Sequence, residues 1–354
     1  MKERQFVKKL EQVFLETPLV HIGPADRFLI VSDLHLGDGG SRDDFRPNAE
    51  IFRAVLERFY LPQGYRLVLN GDIEELQRFP LERITRRWQP IYRLFETFAA
   101  HNGLFRIIGN HDRPLLAAPA PPGGVPAYPA IKLEFNRNII FVFHGHQATL
   151  LMDRFNLLCG FILRYIANPF GIKNYAHSHR SKVRFRTEKR VYGFSRDHKI
   201  VSLIGHTHRP LFESLSPIDA LQFKIEQLCR EYAQAGRGAQ QRLAGTIHAC
   251  QSELQSWLTL NRAEAGRGSL YDPDLLVPCL FNTGAVIGKK GFTAIEIDQG
   301  QINLVQWSKT QEATSPTAPG GGPQPLRLEA SDYYRVILKH DQLDYIFTRI
   351  KLLA

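Results

Sequence analysis

The sequence predicts an α/β fold of the α+β sandwich type, in which two β-sheets face each other between outer layers of helices (α/β/β/α) and helical insertions decorate the core. Three observations support this prediction. Five short apolar runs end in polar, glycine-containing turns, stretches with helical spacing separate the first three runs, and further strand-like runs follow residue 275. Such alternation is typical of strands and helices packed in layers.

The first segment, residues 1–26, is predicted to contain an N-terminal helix. Phe6, Leu10, Val13 and Phe14 recur at helical spacing among charged residues. The segment lacks the unbroken apolar stretch of a signal peptide, so we expect a protein that is not exported.

The five apolar runs are predicted to be buried strands that deliver their last residues to a shared edge. They are FLIVSDLH from Phe28, RLVLNGD from Arg66, LFRIIGNHD from Leu104, IIFVFHGH from Ile139 and IVSLIGHTH from Ile200. Between the first three, the spacing of apolar residues predicts helices over Ile51 to Phe59 and Ile84 to Phe98.

Two helical insertions are predicted to interrupt the core, because both segments are poor in strand patterns. The predicted organisation is a core at 27–211 with a helical cap at 148–199, a second insertion at 212–275 and final core strands at 276–308. The most apolar window, Ala148 to Ile166, contains charged residues and falls short of the ~20 apolar residues of a membrane-spanning helix.

The chain beyond the core is predicted to form a linker at 309–328 and a C-terminal helix at 329–354. The stretch EATSPTAPGGGPQP is rich in Pro, Gly, Ser and Thr, as linkers are. In the helix, Val336, His340, Leu343, Phe347 and Ile350 form one stripe, which favours docking on the core or an oligomer contact.

Composition restricts the partners. The 45 Lys and Arg residues exceed the 35 Asp and Glu residues, giving a formal charge of +10 that favours anionic partners such as phosphorylated metabolites, nucleic acid or an acidic membrane surface. The four cysteines are widely spread, without a CxxC pair, so we expect neither a cysteine zinc site nor a disulfide framework, and we expect a cytoplasmic location.

Each of the five strand ends carries a side chain able to bind a divalent cation. These side chains are Asp33, His35, Asp72, Asn110, His144, His206 and His208. Ligands of open α/β sheets bind beyond the carboxyl ends of the strands, so these groups are expected to converge. Seven ligands exceed the needs of one ion, and one carboxylate can bridge two, so the sequence predicts two metal ions. Two such ions suit hydrolysis of a phosphoester.

These blocks, in this order, resemble the calcineurin-like metallophosphoesterase family. The matching blocks are Asp33-x-His35, Gly71-Asp72, Gly109-Asn110-His111-Asp112, His144 and Gly205-His206-Thr207-His208. The resemblance implies one metal held by Asp33, His35 and His208, and a second held by Asn110, His144 and His206, with Asp72 bridging.

The resemblance also implies two catalytic residues. His111 is expected to contact the phosphate or protonate the leaving oxygen, with Asp112 orienting it. In the GDxxD block of the family the second acid is here Glu75, which we expect to lie outside the metal ligands and to matter little. Mixed oxygen and nitrogen ligands suit manganese first, with iron, zinc or cobalt as alternatives.

A single histidine at a strand end is more often structural than a ligand, so the prediction depends on the joint pattern. His146 remains open between a structural residue and one that supports the site or faces the substrate. The basic run from Arg180 to Lys199 is equally compatible with a solvated helix face and with binding of substrate phosphates or anionic lipid headgroups. The apolar stretch from Leu150 to Ile166 is predicted to be core, with a cap for an acyl chain as the alternative.

The DLHLG and GD blocks, with an apolar and basic insertion between His144 and His206, resemble bacterial UDP-diacylglucosamine hydrolases, although those enzymes typically carry Arg where this chain has His111. The resemblance implies a lipid-linked or nucleotide-sugar substrate and peripheral contact with the inner face of an anionic membrane. A metal-dependent nuclease is the alternative, not favoured because aromatic and basic residues interleave only in the basic run. A non-catalytic scaffold is disfavoured by the complete ligand set with His111.

Overall fold

The computed structural model describes most of the chain, and its side chains are placed throughout the core. The described residues are 2–117, 122, 124–148, 181–212, 221, 225–226, 228–229, 231–233, 235–264, 277–288, 291–309 and 325–354. The predicted apolar stretch 150–166, the first part of the cap and the linker segment 310–324 therefore lie outside the described residues.

Seven α-helices lie in the described part of the chain. They are α1 (Lys2–Glu16), α2 (Ala49–Val55), α3 (Leu81–Arg87), α4 (Gln89–His101), α5 (Ser181–Asp197), α6 (Arg237–Glu264) and α7 (Leu343–Leu353). A π-helical turn, Leu56–Tyr60, continues α2. None of these helices is long and apolar enough to cross a membrane.

Fourteen strands are described. They are β1 (Leu19–Ile22), β2 (Phe28–Val31), β3 (Arg66–Asn70), β4 (Leu104–Ile107), β5 (Ala127–Tyr128), β6 (Ala130–Phe135), β7 (Asn138–Phe143), β8 (Val201–Ile204), β9 (Pro210–Phe212), β10 (Leu280–Thr283), β11 (Phe292–Asp298), β12 (Gln301–Ser308), β13 (Leu326–Arg327) and β14 (Tyr334–Gln342).

The strands form two mixed sheets. One has six strands in the order β1-β6-β7-β8-β10-β9, and the other has eight in the order β13-β14-β12-β11-β2-β3-β4-β5. In the larger sheet, β2 to β5 are parallel, β11 pairs antiparallel with β2, and β12 and β14 extend the sheet, each antiparallel to the strand before it. This arrangement, with helices on the outside, confirms the predicted α/β/β/α sandwich.

Alternate residues of the strands face the two cores of the protein. In β2, Phe28 and Ile30 lie in the apolar cluster between the two sheets, which also takes in α1, α5 and α7. Leu29 and Val31 lie in the other cluster, against α2, α3 and α4. Because successive side chains of a strand point to opposite faces, a strand buried on both sides is apolar throughout.

The predicted helix over Ile84 to Phe98 is two helices, α3 and α4, which meet at Trp88. The indole Nε1 of Trp88 donates to Gly37 O and to Asp43 Oδ2, both at 3.0 Å. Pro90 stands in the first turn of α4, where its missing N–H costs nothing. The break therefore fixes the loop that follows β2.

The prediction of a continuous C-terminal helix is wrong over its first half. Residues 334–342 form β14, which pairs with β12 from Ser308↔Tyr334 to Gln301↔Gln342, and the helix begins at Leu343. The free edge of β12 needs hydrogen-bond partners, and this tertiary demand outweighs the helical spacing of the apolar residues. The predicted linker likewise ends in a short strand, β13, and the N-terminal segment adds β1 after its helix.

The stripe expected on the C-terminal helix is divided by this change. Leu343, Phe347 and Ile350 of α7 are buried in the protein's own core, whereas Val336 and His340 belong to β14. The apolar side of α7 therefore docks on this chain, and oligomerisation stays a prediction.

Candidate metal centre

The structure brings the seven candidate ligands together where five strands end. Asp33, Asp72 and Asn110 follow β2, β3 and β4 of the larger sheet, and His144 and His206 follow β7 and β8 of the smaller one. Most of these side chains are buried, and His206 and His208 are half-buried. The site lies at the junction of the two sheets.

Asp33, His35 and His208 form one group. The Oδ1 atom of Asp33 lies 3.0 Å from Nε2 of His208 and 3.8 Å from Nε2 of His35. The two imidazole Nε2 atoms are 3.2 Å apart. Asp33 Oδ1 is buried and has no hydrogen-bond partner in the described structure. Three donor atoms thus converge on one point.

Asp72, His144 and His206 form a second group, in which one ligand atom from each residue lies within 4.8 Å of the others. Nε2 of His144 is 3.1 Å from Asp72 Oδ2, and Nδ1 donates a hydrogen bond to Asn70 O at 2.8 Å. That bond fixes the orientation of the ring and directs Nε2 into the group.

The two groups adjoin each other. His144 Nε2 of the second group lies 3.9 Å from Asp33 Oδ1 of the first. Asn110 is held nearby, because the backbone N–H of the next residue, His111, donates to Asp72 Oδ1 at 2.8 Å. Both polar atoms of the Asn110 amide are buried without a hydrogen-bond partner in the described structure. A side-chain amide in this environment can serve as a metal ligand.

The charges of the site strongly perturb its pKa values. Burial raises the pKa of Asp33, but His208 and His144 outweigh burial and hold it well below its usual range. Burial lowers the pKa of His144, but Asp72 and Asp33 outweigh burial and raise it to about 9. Burial and the neighbouring His144 lower the pKa of His206 to about 3. Buried carboxylates thus need positive charge beside them, which a divalent cation supplies.

The residues fit divalent metal ions. Buried carboxylate, amide and imidazole atoms without partners are costly unless something binds them. Their mixture of oxygen and nitrogen suits transition metals of intermediate softness. The role of each residue as a ligand remains a prediction, which this geometry supports.

Five of the seven candidate ligands have left-handed backbone conformations. The φ angles are 56° at Asp33, 47° at His35, 53° at Asp72, 65° at His206 and 55° at His208. Such angles cost a non-glycine residue about 1–3 kcal/mol and persist only where the surroundings impose them. The hydrogen bonds Asp33 N→Gly71 O and His35 N→Asp72 O, both 3.0 Å, impose them on the first loop.

The glycine before Asn110 has a steric cause. A Cβ on Gly109 would lie 2.1 Å from Asp72 Oδ1. Only glycine lets the Asn110 loop approach Asp72 this closely. The close packing of two loops that carry candidate ligands therefore requires the glycine at the start of the G-N-H-D block.

The structure corrects the expected partner of His111. Nδ1 of His111 lies 2.8 Å from Oε1 of Glu75, and Oε2 of the same carboxylate lies 3.0 Å from Nδ1 of His35. Asp112 instead accepts hydrogen bonds from the backbone N–H groups of Ile73 and Gly109, at 2.8 and 2.6 Å. Asp112 thus ties two loops together, and Glu75 orients the ring of His111.

Glu75 makes contacts that its position in the sequence did not predict. It is 4% exposed and joins a candidate ligand, His35, to the candidate catalytic residue, His111. Its place as the acid of the GDxxD block was the only indication in the sequence. Burial raises its pKa, but His111 and His35 outweigh burial and hold it well below its usual range, so Glu75 is ionised.

His146 lies beside the centre without entering either group. Its ring centroid is 5.6 Å from that of His144, and its Nδ1 is buried without a hydrogen-bond partner in the described structure. Burial and the neighbouring His144 hold its pKa well below its usual range, so the ring is neutral. Both readings of this residue stay open.

Part of the basic run lies on α5. Arg186 and Lys189 of that helix are exposed, whereas Glu188 is buried with Thr207, the residue between His206 and His208. The helix that carries the positive charge thus contacts the loop that carries two candidate ligands.

One family of known proteins matches the chain. A sequence model described as calcineurin-like phosphoesterase matches residues 26–210, more than half of the chain. No curated protein sequence matches the chain significantly.

Solved structures show low similarity. A predicted phosphoesterase from Streptococcus pneumoniae has 12% identity and a TM-score of 0.29, covering 79% of this chain and 89% of its own. Vacuolar protein sorting 29 from Cryptosporidium parvum has 10% identity and a TM-score of 0.36, covering 90% and 98%. A point mutant of a cold-active protein tyrosine phosphatase has 10% identity and a TM-score of 0.35, covering 81% and 80%.

Proposed function

Because the chain belongs to the calcineurin-like phosphoesterase family and is a hydrolase of phosphoester bonds, we propose that its clustered side chains hold two divalent metal ions for attack of water on phosphorus. One observation carries the proposal: two groups of ligand atoms adjoin through Asp33 Oδ1, a buried carboxylate oxygen without a hydrogen-bond partner in the described structure. A single ion would leave most of these atoms unused.

The proposed ligands follow the two groups, with Asn110 added to the second and Asp72 shared by both. Asp33, His35 and His208 would hold one ion, and His144, His206 and Asn110 would hold the other, with Asp72 available to both. When bound, a pair of divalent ions lowers the pKa of a water and offsets the charge that develops on the phosphoryl oxygens. Manganese is our first choice, because it accepts both oxygen and nitrogen ligands.

His111 is proposed to give the proton to the leaving oxygen. Its Nδ1 is engaged by Glu75, so its Nε2, which lies 3.9 Å from Asp72 Oδ2, carries the transferable proton. Burial lowers the pKa of His111, but Glu75 and Asp72 outweigh burial and raise it, which favours the protonated imidazole. A protonated imidazole at the edge of the site is the form that a general acid requires.

The proposed substrate is a phosphomonoester, phosphodiester or pyrophosphate in a lipid-linked or nucleotide-sugar molecule, bound from the cytoplasm with peripheral contact to an anionic membrane. Support comes from the charge of +10 and from exposed Arg186 and Lys189 on α5, the helix that touches the loop of His206 and His208. Guanidinium and ammonium groups bind phosphate oxygens through charge-assisted hydrogen bonds.

A substrate panel tests this proposal. Metal-stripped protein is supplied with manganese and offered a bis-aryl phosphodiester, an aryl phosphomonoester, a UDP-lipid sugar and single-stranded DNA. We expect manganese-dependent release of phosphate or nucleotide from the UDP-lipid sugar. Preferential cleavage of DNA would indicate that the substrate is a nucleic acid. The absence of turnover with every compound would contradict the proposed hydrolysis of phosphoesters.

Two variants separate the proposed roles. Asp72→Asn removes the bridging charge and is expected to abolish turnover and lower manganese content. His111→Ala is expected to retain manganese but to turn over roughly 100-fold more slowly, as loss of a general acid does. His101→Ala, which changes an exposed histidine of α4, is the matched control and should behave like the wild type. Full activity of either site variant would overturn its assigned role.

A further inference from the structure

The loop Gly205–Arg209 has two sides with different tasks. His206 and His208 face the metal centre, where they contact the groups of His144 and Asp33. Thr207 and Arg209, which alternate with them, contact Glu188 of α5. Both histidines have left-handed φ angles, 65° and 55°, which histidine adopts only where its neighbours impose them. These φ angles therefore need a restraint, and we consider the contacts with α5 as that restraint.

The hydroxyl of Thr207 is buried between two side chains. Thr207 Oγ1 donates to Glu188 Oε1 at 2.9 Å and accepts from Asn282 Nδ2, also at 2.9 Å. Asn282 Nδ2 additionally donates to Gly205 O at 3.0 Å. Thr207 is 2% exposed, so water does not compete for these bonds. The loop is thus fastened from α5 on one side and from β10 on the other.

Glu188 is an unusual residue for its helix. It is the only acidic residue between Arg180 and Arg196, and it points inward while Arg186 and Lys189 beside it are exposed. Its side chain is buried, and its Oε2 lies 3.9 Å from Nη1 of Arg209. A buried carboxylate is costly unless it is paired and hydrogen-bonded, and here the ligand loop supplies both a hydroxyl and a guanidinium.

We propose that Glu188 is a positioning residue which, through Thr207, holds His206 and His208 in the conformations that bind metal. This inference rests on the proposed function, because it assumes that the two histidines are ligands. It also assigns a second task to α5: the helix that presents positive charge to solvent supports the metal centre through its buried face.

The test compares substitutions that break this contact with substitutions that spare it. Glu188→Met removes the acceptor while keeping the length of the side chain, and Glu188→Gln retains an oxygen for the Thr207 hydroxyl. Ser195→Ala is the matched control, because Ser195 is also buried on α5 and donates to Ser202 of β8 at 2.7 Å, away from the ligand loop. The affinity for Mn²⁺ alone is measured by calorimetry on the full chain, with circular dichroism as the check of folding.

We expect Glu188→Met to weaken Mn²⁺ binding at least 10-fold, as loss of groups that orient ligands does. Glu188→Gln should restore most of the affinity, and Ser195→Ala should bind like the wild type. If Glu188→Met fails to fold, Thr207→Val removes the same hydrogen bond from the other partner, and Thr207→Ser serves as its conservative control.

Three outcomes overturn the inference. Wild-type Mn²⁺ affinity in folded Glu188→Met or Thr207→Val shows that the contact does not position the histidines. An equal loss in Ser195→Ala assigns the effect to general loosening of α5. If the wild-type protein binds no Mn²⁺, the proposed function itself is contradicted. This result differs from loss of the positioning role alone, in which the wild type still binds Mn²⁺.

Discussion

Asp33, His35 and Asp72 each combine a candidate ligand atom with a left-handed backbone angle. Among residues with a side chain, Asp, Asn and His adopt this conformation several-fold more readily than others. The same residue types bind divalent cations through oxygen or imidazole nitrogen. The same residue types therefore suit both the left-handed backbone conformation and metal binding. Replacement by alanine would disturb both.

At Glu75 we predict a loss of activity from a change of a single atom. Glu75→Gln replaces one of the two carboxylate oxygens that face His35 and His111, so one imidazole Nδ1–H loses its acceptor. Turnover of the preferred substrate should fall roughly 10–100-fold, as for other groups that orient metal ligands. Steady-state kinetics with saturating manganese measures the change.

Glu57→Gln is the control for this substitution, because Glu57 is exposed in the π-helical turn after α2. It should be as active as the wild type. Unchanged turnover in Glu75→Gln would show that the contacts of Glu75 do not matter for the reaction.

The sequence predicted which residues meet at the site, but not all of their contacts. Asp33, Asp72 and His144 follow apolar strands, and parallel strands bring their ends to one edge, so convergence was predictable. The double contact of Glu75 depends on residues 35 and 111, which are distant in sequence, and no local pattern records it. Asp112 was misassigned for the same reason, because its partners are the backbone N–H groups of Ile73, in another loop, and of Gly109, in its own.

The β14 strand is fastened to the larger sheet by a buried ion pair. Arg335 Nε donates to Glu296 Oε1 of β11 at 2.9 Å, and Tyr60 OH donates to the same oxygen at 2.6 Å. Glu296 is fully buried. Arg335→Leu leaves this carboxylate without its cation and should lower the free energy of unfolding by about 3–5 kcal/mol. Urea denaturation measures the loss.

A second substitution tests the cause. Arg335→Leu with Glu296→Leu removes both charges, and stability should recover in part, because an uncompensated charge is then absent. No recovery would assign the loss to packing around β14. Turnover of the folded protein should be unchanged in Arg335→Leu, since the pair includes none of the candidate ligands.

Elements buried on both faces were easier to predict than elements at the edges. β2, β3 and β8 are apolar over most of their length, because they have a core on each side. β1 and β14 were missed, since each is a strand only through pairing, β1 with β6 and β14 with β12. The spacing of their apolar residues was compatible with a helix, but hydrogen bonding to the open edge of a sheet made them strands.

The candidate ligands come from both sheets, so metal bound by them would join the two layers of the molecule. Asp33, Asp72 and Asn110 belong to the larger sheet, and His144 and His206 to the smaller one. A ligand that binds only the folded state adds about 2.7 kcal/mol at a hundredfold excess over its Kd. For a chain of this length, chelation should therefore lower the thermal midpoint by roughly 4 °C.

Calorimetric scans with manganese and with a chelator measure this change. Asp72→Asn, which lacks the proposed bridging charge, should show a much smaller difference between the two scans. An equal thermal midpoint of the wild type with and without manganese would mean that the ion does not stabilise the packing of the two sheets.

The pairing of β14 has a consequence for the continuity of the chain. Residues 325–354 dock through a full-length ladder with β12 and through the buried side of α7, so their attachment is made by contacts within the folded body. A single cut by a protease between residues 310 and 324 should leave the fragments associated. A synthetic peptide of the terminal piece should also reassociate with the rest of the chain. The protein is therefore a candidate for division into two complementing fragments.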